Sequence, residues 1–276
     1  MALPKKPQGL KAQLLSLLSR ASEEARLAMA IEFTKACNKL DPAIKAGVLS
    51  TPGGLVVYGG PDSPFNRVFG YGAAGNPLED LARVESFYWP KLVHFDVELA
   101  PQAAFEVMEL LEARQYRQVG VRQIWACPLE PLDPAFEPEA AFQVLEIDPL
   151  YHKLWVELID QAFGQPLGLG APATFQAFTR MPSVKLCLAL DEGRPVGGAA
   201  LFLRGNTAIL FCAGVLLEAR HKGVYRQLIR SRLALAQAWG ANLALAETGP
   251  SSPAIPTLRS LGFTKVCELP LYGRRS

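Results

Sequence analysis

Histidine is scarce, with three in 276 residues. His94, His152 and His221 have no ligand spacing to one another, so no metal site is expected. Cysteine is scarce too. Its five copies are an odd number, scattered and without a C-x-x-C pair, which excludes a disulfide framework or a zinc site of ordinary pattern. Cys187 and Cys212 lie inside apolar strands and read as core packing. Charge of one sign is lacking as well: 28 Lys and Arg face 26 Asp and Glu, a formal net charge of +2. Nothing in that balance marks a nucleic-acid binder or a polyanion binder. Long apolar runs are missing, and the longest, Ala208 to Leu217, is too short to span a bilayer. Near the start, Lys5 and Lys6 precede a stretch that Gln13, Ser16, Ser19 and Arg20 interrupt, so no signal-like core forms. These absences lead to the expectation of a cytoplasmic protein without nucleic-acid, membrane or metal partners.

Apolar residues make up 50% of the chain, enough for substantial cores, and the length suits two domains. The natural boundary is Pro128 to Pro138, whose prolines cannot continue a helix or a central strand. It sets an N-terminal domain at 1–130 and a C-terminal one at 139–276. In the first, Leu10 to Cys37 is helical in pattern, as two helices broken near Ala21-Ser22. Leu55 to Tyr58 and Asn66 to Tyr71 read as strands, and Leu78 to Tyr88 as a helix. Leu92 to Leu99 (strand), Gln102 to Ala113 (helix) and Val119 to Ala126 (strand) follow. Phe65 to Gly70 reads either as an edge strand or as an aromatic and basic wall of a substrate pocket.

In the second domain, Leu186 to Leu190 and Val196 to Leu203 are strands, and Ala208 to Leu217 is a third. A turn, Glu218 to Lys222, then leads into a helix from Gly223, with Val224, Leu228, Leu235 and Trp239 on one stripe. Ala241 to Thr248 is a strand. A short helix capped by Ser251 or Ser252 and a last strand, Thr264 to Tyr272, complete the order. The turn is the chemically informative part. A helix start offers unpaired N–H groups and the positive end of a dipole. Glycine there lets a ligand approach closely. Arg220, His221, Lys222 and Arg226 add positive charge, so the turn suits a pyrophosphate. An ordinary surface loop before a helix reads the same way.

With its flanks counted, the chain resembles the GNAT superfamily of acyl-CoA-dependent N-acyltransferases. That family carries [QR]-x-x-G-x-[GA] after V-x-P. Here Val215, Leu216 and Leu217 stand for V-x-P, and Arg220, His221, Lys222, Gly223, Val224 and Tyr225 for the pyrophosphate loop. A second element aligns at Ser251, Ala254, Thr257, Leu258, Gly262 and Phe263. Leu217 departs from proline, Tyr225 from a small residue, and Leu258 from the tyrosine with which many members protonate the departing thiolate. There is also an internal echo, Leu111 to Val119 against Leu258 to Val266, while the first domain lacks the R-x-x-G turn. The resemblance therefore implies an α/β (α+β) fold of two tandem GNAT-like domains. Their sheets are mixed and mostly antiparallel, flanked by helices. The N-terminal domain is a degenerate copy without a cofactor loop, and the C-terminal one has a splayed strand pair.

The same resemblance implies acetyl-CoA as acyl-donor substrate, held at Val215 to Leu217, Arg220 to Arg226 and Ser252, and a small-molecule amine as acceptor. A homodimer is left open. N–H groups near Val215 to Leu217 would meet the thioester oxygen. Glu247, ending its strand with a carboxyl whose pKa partial burial would raise, is read as general base or as a structural partner of Ser251 and Ser252. Tyr272 is either a substitute acid for the missing tyrosine or a packing residue. Two other functions compete: a non-catalytic acyl-CoA-binding sensor, which Leu258 favours, and a protein or peptide N-acetyltransferase, which needs an open groove.

Overall fold

The computed structural model describes residues 8–61, 63–129, 142–164 and 171–274. Most of the proline-rich boundary and Lys5 and Lys6 lie outside them. In chain order the N-terminal half has α1 (Gln8–Leu40), β1 (Gly47–Thr51), β2 (Gly54–Tyr58), β3 (Arg67–Tyr71), α2 (Pro77–Tyr88), β4 (Asp96–Leu99), α3 (Phe105–Ala113) and β5 (Arg117–Pro128). The C-terminal half has β6 (Gln143–Glu146), α4 (His152–Phe163), α5 (Ala171–Phe178), β7 (Val184–Asp191), β8 (Arg194–Arg204) and β9 (Thr207–Val215). Then come α6 (Val224–Ala238), β10 (Leu243–Thr248), α7 (Ile255–Ser260) and β11 (Thr264–Gly273).

The sheets of the two halves are one. Eleven strands run in the order β1-β2-β3-β4-β11-β5-β10-β9-β8-β7-β6. β5 leaves its own half to lie between β11 and β10, and β11 leaves its half to lie between β4 and β5. Each half therefore lends a strand to the other. The exchange is symmetric. β5 and β11 pair antiparallel, each with one bulged residue: Val119 is skipped opposite Leu271–Tyr272, and Val266 is skipped opposite Ile124–Trp125. The echo in the sequence aligned these two valines. Continuing that alignment matches Ile124 with Leu271, and their partners on the adjoining strands are Glu247 and Glu98. A local two-fold axis thus crosses the sheet near Arg122 and Leu269, which face each other across the ladder.

Alternation along the strands sends side chains to two helical layers. On one face α2 and α3 cover the N-terminal half, with Leu81, Val84 and Leu111 fully buried, and α6 and α7 cover the C-terminal half. On the other face lie α1, α4 and α5. Trp155, Leu158, Ile159 and Ala162 of α4 are buried at helix spacing, each large side chain contributing about 1.5–3 kcal/mol. α1 is one unbroken helix, against the expected break: Ala21 and Ser22 offer no breaker, and Ser22, Ala25, Arg26 and Met29 are buried beneath it. β1, β6, α4 and α5 were not anticipated. The sequence reading also placed Trp239 on the buried stripe of α6, but it is 55% exposed and Lys185 lies over its ring at 4.1 Å. The inward position in that helix goes to Arg232. No helix among the described residues is long and apolar enough to cross a membrane.

Candidate functional site

β9 and β10 are parallel neighbours only from Thr207/Leu243 to Leu210/Ala246. Beyond that pair they part. β9 stays with β8, through Gly214↔Gly198 and Val215↔Gly197, while β10 stays with β5, through Glu247↔Ile124 and Thr248↔Gln123. A bulge at Cys212, whose φ is +46°, bends β9 away. Gly214 is needed there because a Cβ would meet Ala162 Cβ at 2.8 Å. Arg232, 1% exposed, holds the bend: Nε donates to Leu228 O at 3.0 Å, and Nη1 to Ala200 O at 3.0 Å and Phe211 O at 3.2 Å. One guanidinium so fastens α6 to both strands.

The turn after β9 meets the wedge that the strands open. His221 takes φ +62° and Gly223 φ +90°, where a glycine is favoured. Gly223 is the N-cap of α6, no side chain caps the helix, and its first turn holds no acid. The bond from Gln227 N to Gly223 O, at 3.0 Å, begins the helix, so the N–H groups of Val224, Tyr225 and Arg226 point outward. A Cβ built at Gly223 has nothing within 4 Å. Arg220 also bonds the main chain: its Nε donates to Val215 O at 3.0 Å and its Nη2 to Ala162 O at 2.6 Å, so it ties the end of β9 to α4.

Wedge and turn form one cleft of about 910 Å³. Of the anticipated residues, Val215, Arg220, His221, Gly223, Val224, Tyr225, Arg226, Ser252 and Glu247 line it. Leu216 instead packs into the core under α1, α4 and α5, and Leu217 is 76% exposed. Leu258 is buried in the cleft wall. Tyr272 is nowhere near: it sits in the N-terminal core with Val97 and Leu99, because β11 is lent to that half. A substitute acid there is therefore ruled out by position. Ser252 does not cap α7 as N-cap, which is Ala254, but its Oγ accepts from Ala254 N at 3.3 Å. Sequence reading missed Phe163, Phe211, Cys212 and Arg232 in this cleft; only the interruption of α6's apolar stripe by an arginine hinted at the last.

Glu247 sits where β10 ends, on the face covered by α1. Its Oε1 accepts from Arg26 Nε at 2.5 Å and its Oε2 from Arg122 Nη1 at 3.2 Å. Burial alone would raise its pKa, but the Arg26 charge, then Arg122, outweigh that and hold it at about 2. The expectation of a raised value is thus corrected: two guanidiniums beat desolvation. Arg26 also donates from Nη2 to Glu98 Oε2 at 2.6 Å, so it bridges the two glutamates that the local axis relates. Arg67 of β3 approaches Glu98 Oε2 at 3.4 Å. β3 is a central strand between β2 and β4, not the edge strand considered for this segment, and Phe65 stacks on Phe33 at 4.3 Å.

The N-terminal counterpart of the wedge is shut. β3 and β4 remain paired to Tyr71↔Leu99, and Ala100 N donates to Tyr71 O at 2.9 Å. Ser22, Glu23 and Arg26 of α1 fill the slot beside Gly70 and Glu98, leaving about 20 Å³. The following helix, α2, is capped by the Asn76 side chain, has Pro77 in its first turn, and carries Glu79 and Asp80 there.

Residues 150–263 match the acetyltransferase (GNAT) family. No curated protein matches the chain in sequence. Among solved structures, a GCN5-related N-acetyltransferase from Kribbella flavida superposes with a TM-score of 0.63 at 17% identity, covering 89% of this chain and 96% of that one. One from Sphaerobacter thermophilus gives 0.61 at 18%, covering 83% and 75%. A tandem GNAT protein from the clavulanic acid biosynthesis pathway gives 0.54 at 13%, covering 75% and 74%. The shared fold is the GNAT fold, which the last of these carries in tandem.

Proposed function

We propose that the protein transfers an acetyl group from acetyl-CoA to the amine of a small molecule. The observation that carries this reading is the continuous path from the uncapped start of α6 to the parted strands. The outward N–H groups at Val224 to Arg226, with the α6 dipole behind them, suit a pyrophosphate. Lys222 and Arg226 are exposed beside them. The unpaired edge of β9 beyond Leu210 offers main-chain N–H groups to a thioester oxygen, and Arg232 fixes that edge so that the donors are preorganised. Holding donor and amine together supplies much of the rate. Glu247 stays ionised at neutral pH and orients charge; a carboxylate with so low a pKa is a weak proton acceptor, so the amine proton leaves to water.

The division of labour follows the two halves. Residues 139–276 bind the donor, and residues 1–130 supply β5, the covering helix α1 and the ion-pair cluster, and hold no cofactor of their own. Leu258 favours a second reading, an acyl-CoA-binding sensor without turnover, because no tyrosine stands at that point of the wall. Incubation with acetyl-CoA and a panel of small amines, amino acids and peptides, followed by released thiol and product mass, separates the readings. Acetylated small molecules are the expected result. Tight acetyl-CoA binding with no product from any of them identifies a sensor, and preference for peptides overturns the small-molecule acceptor.

A further inference from the structure

Among the described residues, the ion pairs around the local two-fold axis are uneven. Three guanidiniums, Arg26, Arg67 and Arg122, face two carboxylates, Glu98 and Glu247. Arg26 takes the short bonds to both carboxylates. Arg67 is left with contacts of 3.4 Å to Glu98 Oε2 and 3.5 Å to Pro64 O, and its Nε is buried without a partner among the described residues. Arg122 makes the 3.2 Å bond to Glu247, and its Nε is likewise buried without a partner among the described residues. Burial, and next the charge of Arg122, pull the Arg67 pKa below its ordinary value, as expected of like charges that share too few anions. A guanidinium has five N–H donors. The partnerless donors therefore lie on Arg122 and Arg67, and of the two Arg122 is open to solvent, at 29% against 9%. It lies one ion pair from Glu247, which lines the cleft where the strands part. It is on the α1 face of the sheet, while the uncapped helix start belongs to α6 on the other.

We propose that Arg122, backed by Arg67, docks a carboxylate of the acceptor, so that the acceptor is an amine carrying an acid group, of the amino-acid class. This rests on the acetyltransferase reading above. A carboxylate fits the planar fork of arginine bidentately and gives the partnerless donors of this pair an anion. Glu247 beside it offers the matching site for the acceptor's ammonium before deprotonation. Phe163 and Phe211 in the cleft suit an apolar side chain.

The test uses the full chain, acetyl-CoA, and α-amino acids with their matched amides and decarboxylated amines; phenylalanine, phenylalaninamide and phenethylamine form one such set. The acid should exceed its amide in kcat/KM by at least about 100-fold, because the amide leaves the arginine pair without its anion. Arg122→Gln should cut that preference to within about threefold, through KM for the acid rather than through acetyl-CoA affinity. Arg122→Lys, which keeps the charge and loses the fork, should restore part of it. Equal use of acid and amide overturns acid docking and leaves the transferase reading standing. Preference for phosphoethanolamine over every amino acid also overturns it, in favour of a phosphate. If acetyl-CoA binds and no amine is acetylated, the transferase reading falls. Calorimetry of N-acetylphenylalanine against its amide, with CoA present, then decides the docking site: binding of the acid alone supports it, and equal or no binding overturns it.

Discussion

The two halves of this protein share one plan and differ at one place. In the C-terminal half β9 and β10 part after Leu210/Ala246, leaving about 910 Å³ before an uncapped helix. In the N-terminal half β3 and β4 stay paired, α1 fills the slot to about 20 Å³, and α2 begins with a capped, acidic turn. Both β3 and β9 carry a residue of positive φ at the bulge, Gly70 at +70° and Cys212 at +46°, so a bulge alone does not make a site. What separates the halves is whether the helix start is free and whether anything enters the wedge.

Exchanging features between the halves would test that contrast. The largest effect belongs to Gly223→Asp, which puts a side chain and a negative charge where the phosphates go. Acetyl-CoA affinity should drop by more than about 100-fold while the fold survives; calorimetry on a folded variant with unchanged affinity would show the cradle to be elsewhere. Arg26→Met removes the bridge between the halves and two charge-assisted hydrogen bonds, leaving Glu98 with Arg67 at 3.4 Å and Glu247 with Arg122 at 3.2 Å, so unfolding free energy should decline by about 3 kcal/mol. A denaturant midpoint close to that of the parent protein would mean that the cluster is not a fastener.

Acid should weaken the same junction. The Glu247 pKa, depressed from 4.5 to about 2, gives stability that is complete above the unfolded value and disappears as pH falls toward 2. The loss is roughly 3 kcal/mol for this group. Glu247→Gln should flatten stability between those pH values, and no break in kcat near neutrality should trace to Glu247. The smallest effect is Asn76→Ala. Losing the cap of α2 should cost about 1 kcal/mol and leave acetyl-CoA affinity as it was. A change in affinity would place a ligand contact in the N-terminal half.

The order of strands and helices was largely legible because it rests on local pattern: the period of α6, the glycine turn at Gly223, the alternation of β7 and β8. The repeat of Leu111 to Val119 at Leu258 to Val266 marked two bulges that coincide in structure. Pairing between distant strands was not legible. No local signal says that β11 joins β4, and that single fact carries Tyr272 away from the cleft. In the candidate site, the turn at Gly223 follows from local pattern, while the partners of the long side chains do not. Arg220 bonds the main chain, and Glu247 meets Arg26, 221 residues away in sequence. Burial suggested a raised pKa; the charges that reverse it come from the other half.

The lent strands also have a consequence for the birth of the molecule. β11 follows every other strand in chain order, yet the N-terminal sheet needs it to cover the free edge of β4. A nascent chain leaving the ribosome cannot close its first domain when that domain has been made. Until β11 emerges, β4 exposes unpaired backbone of the kind that recruits foreign strands. The two halves must then reach completion together, once β11 has emerged.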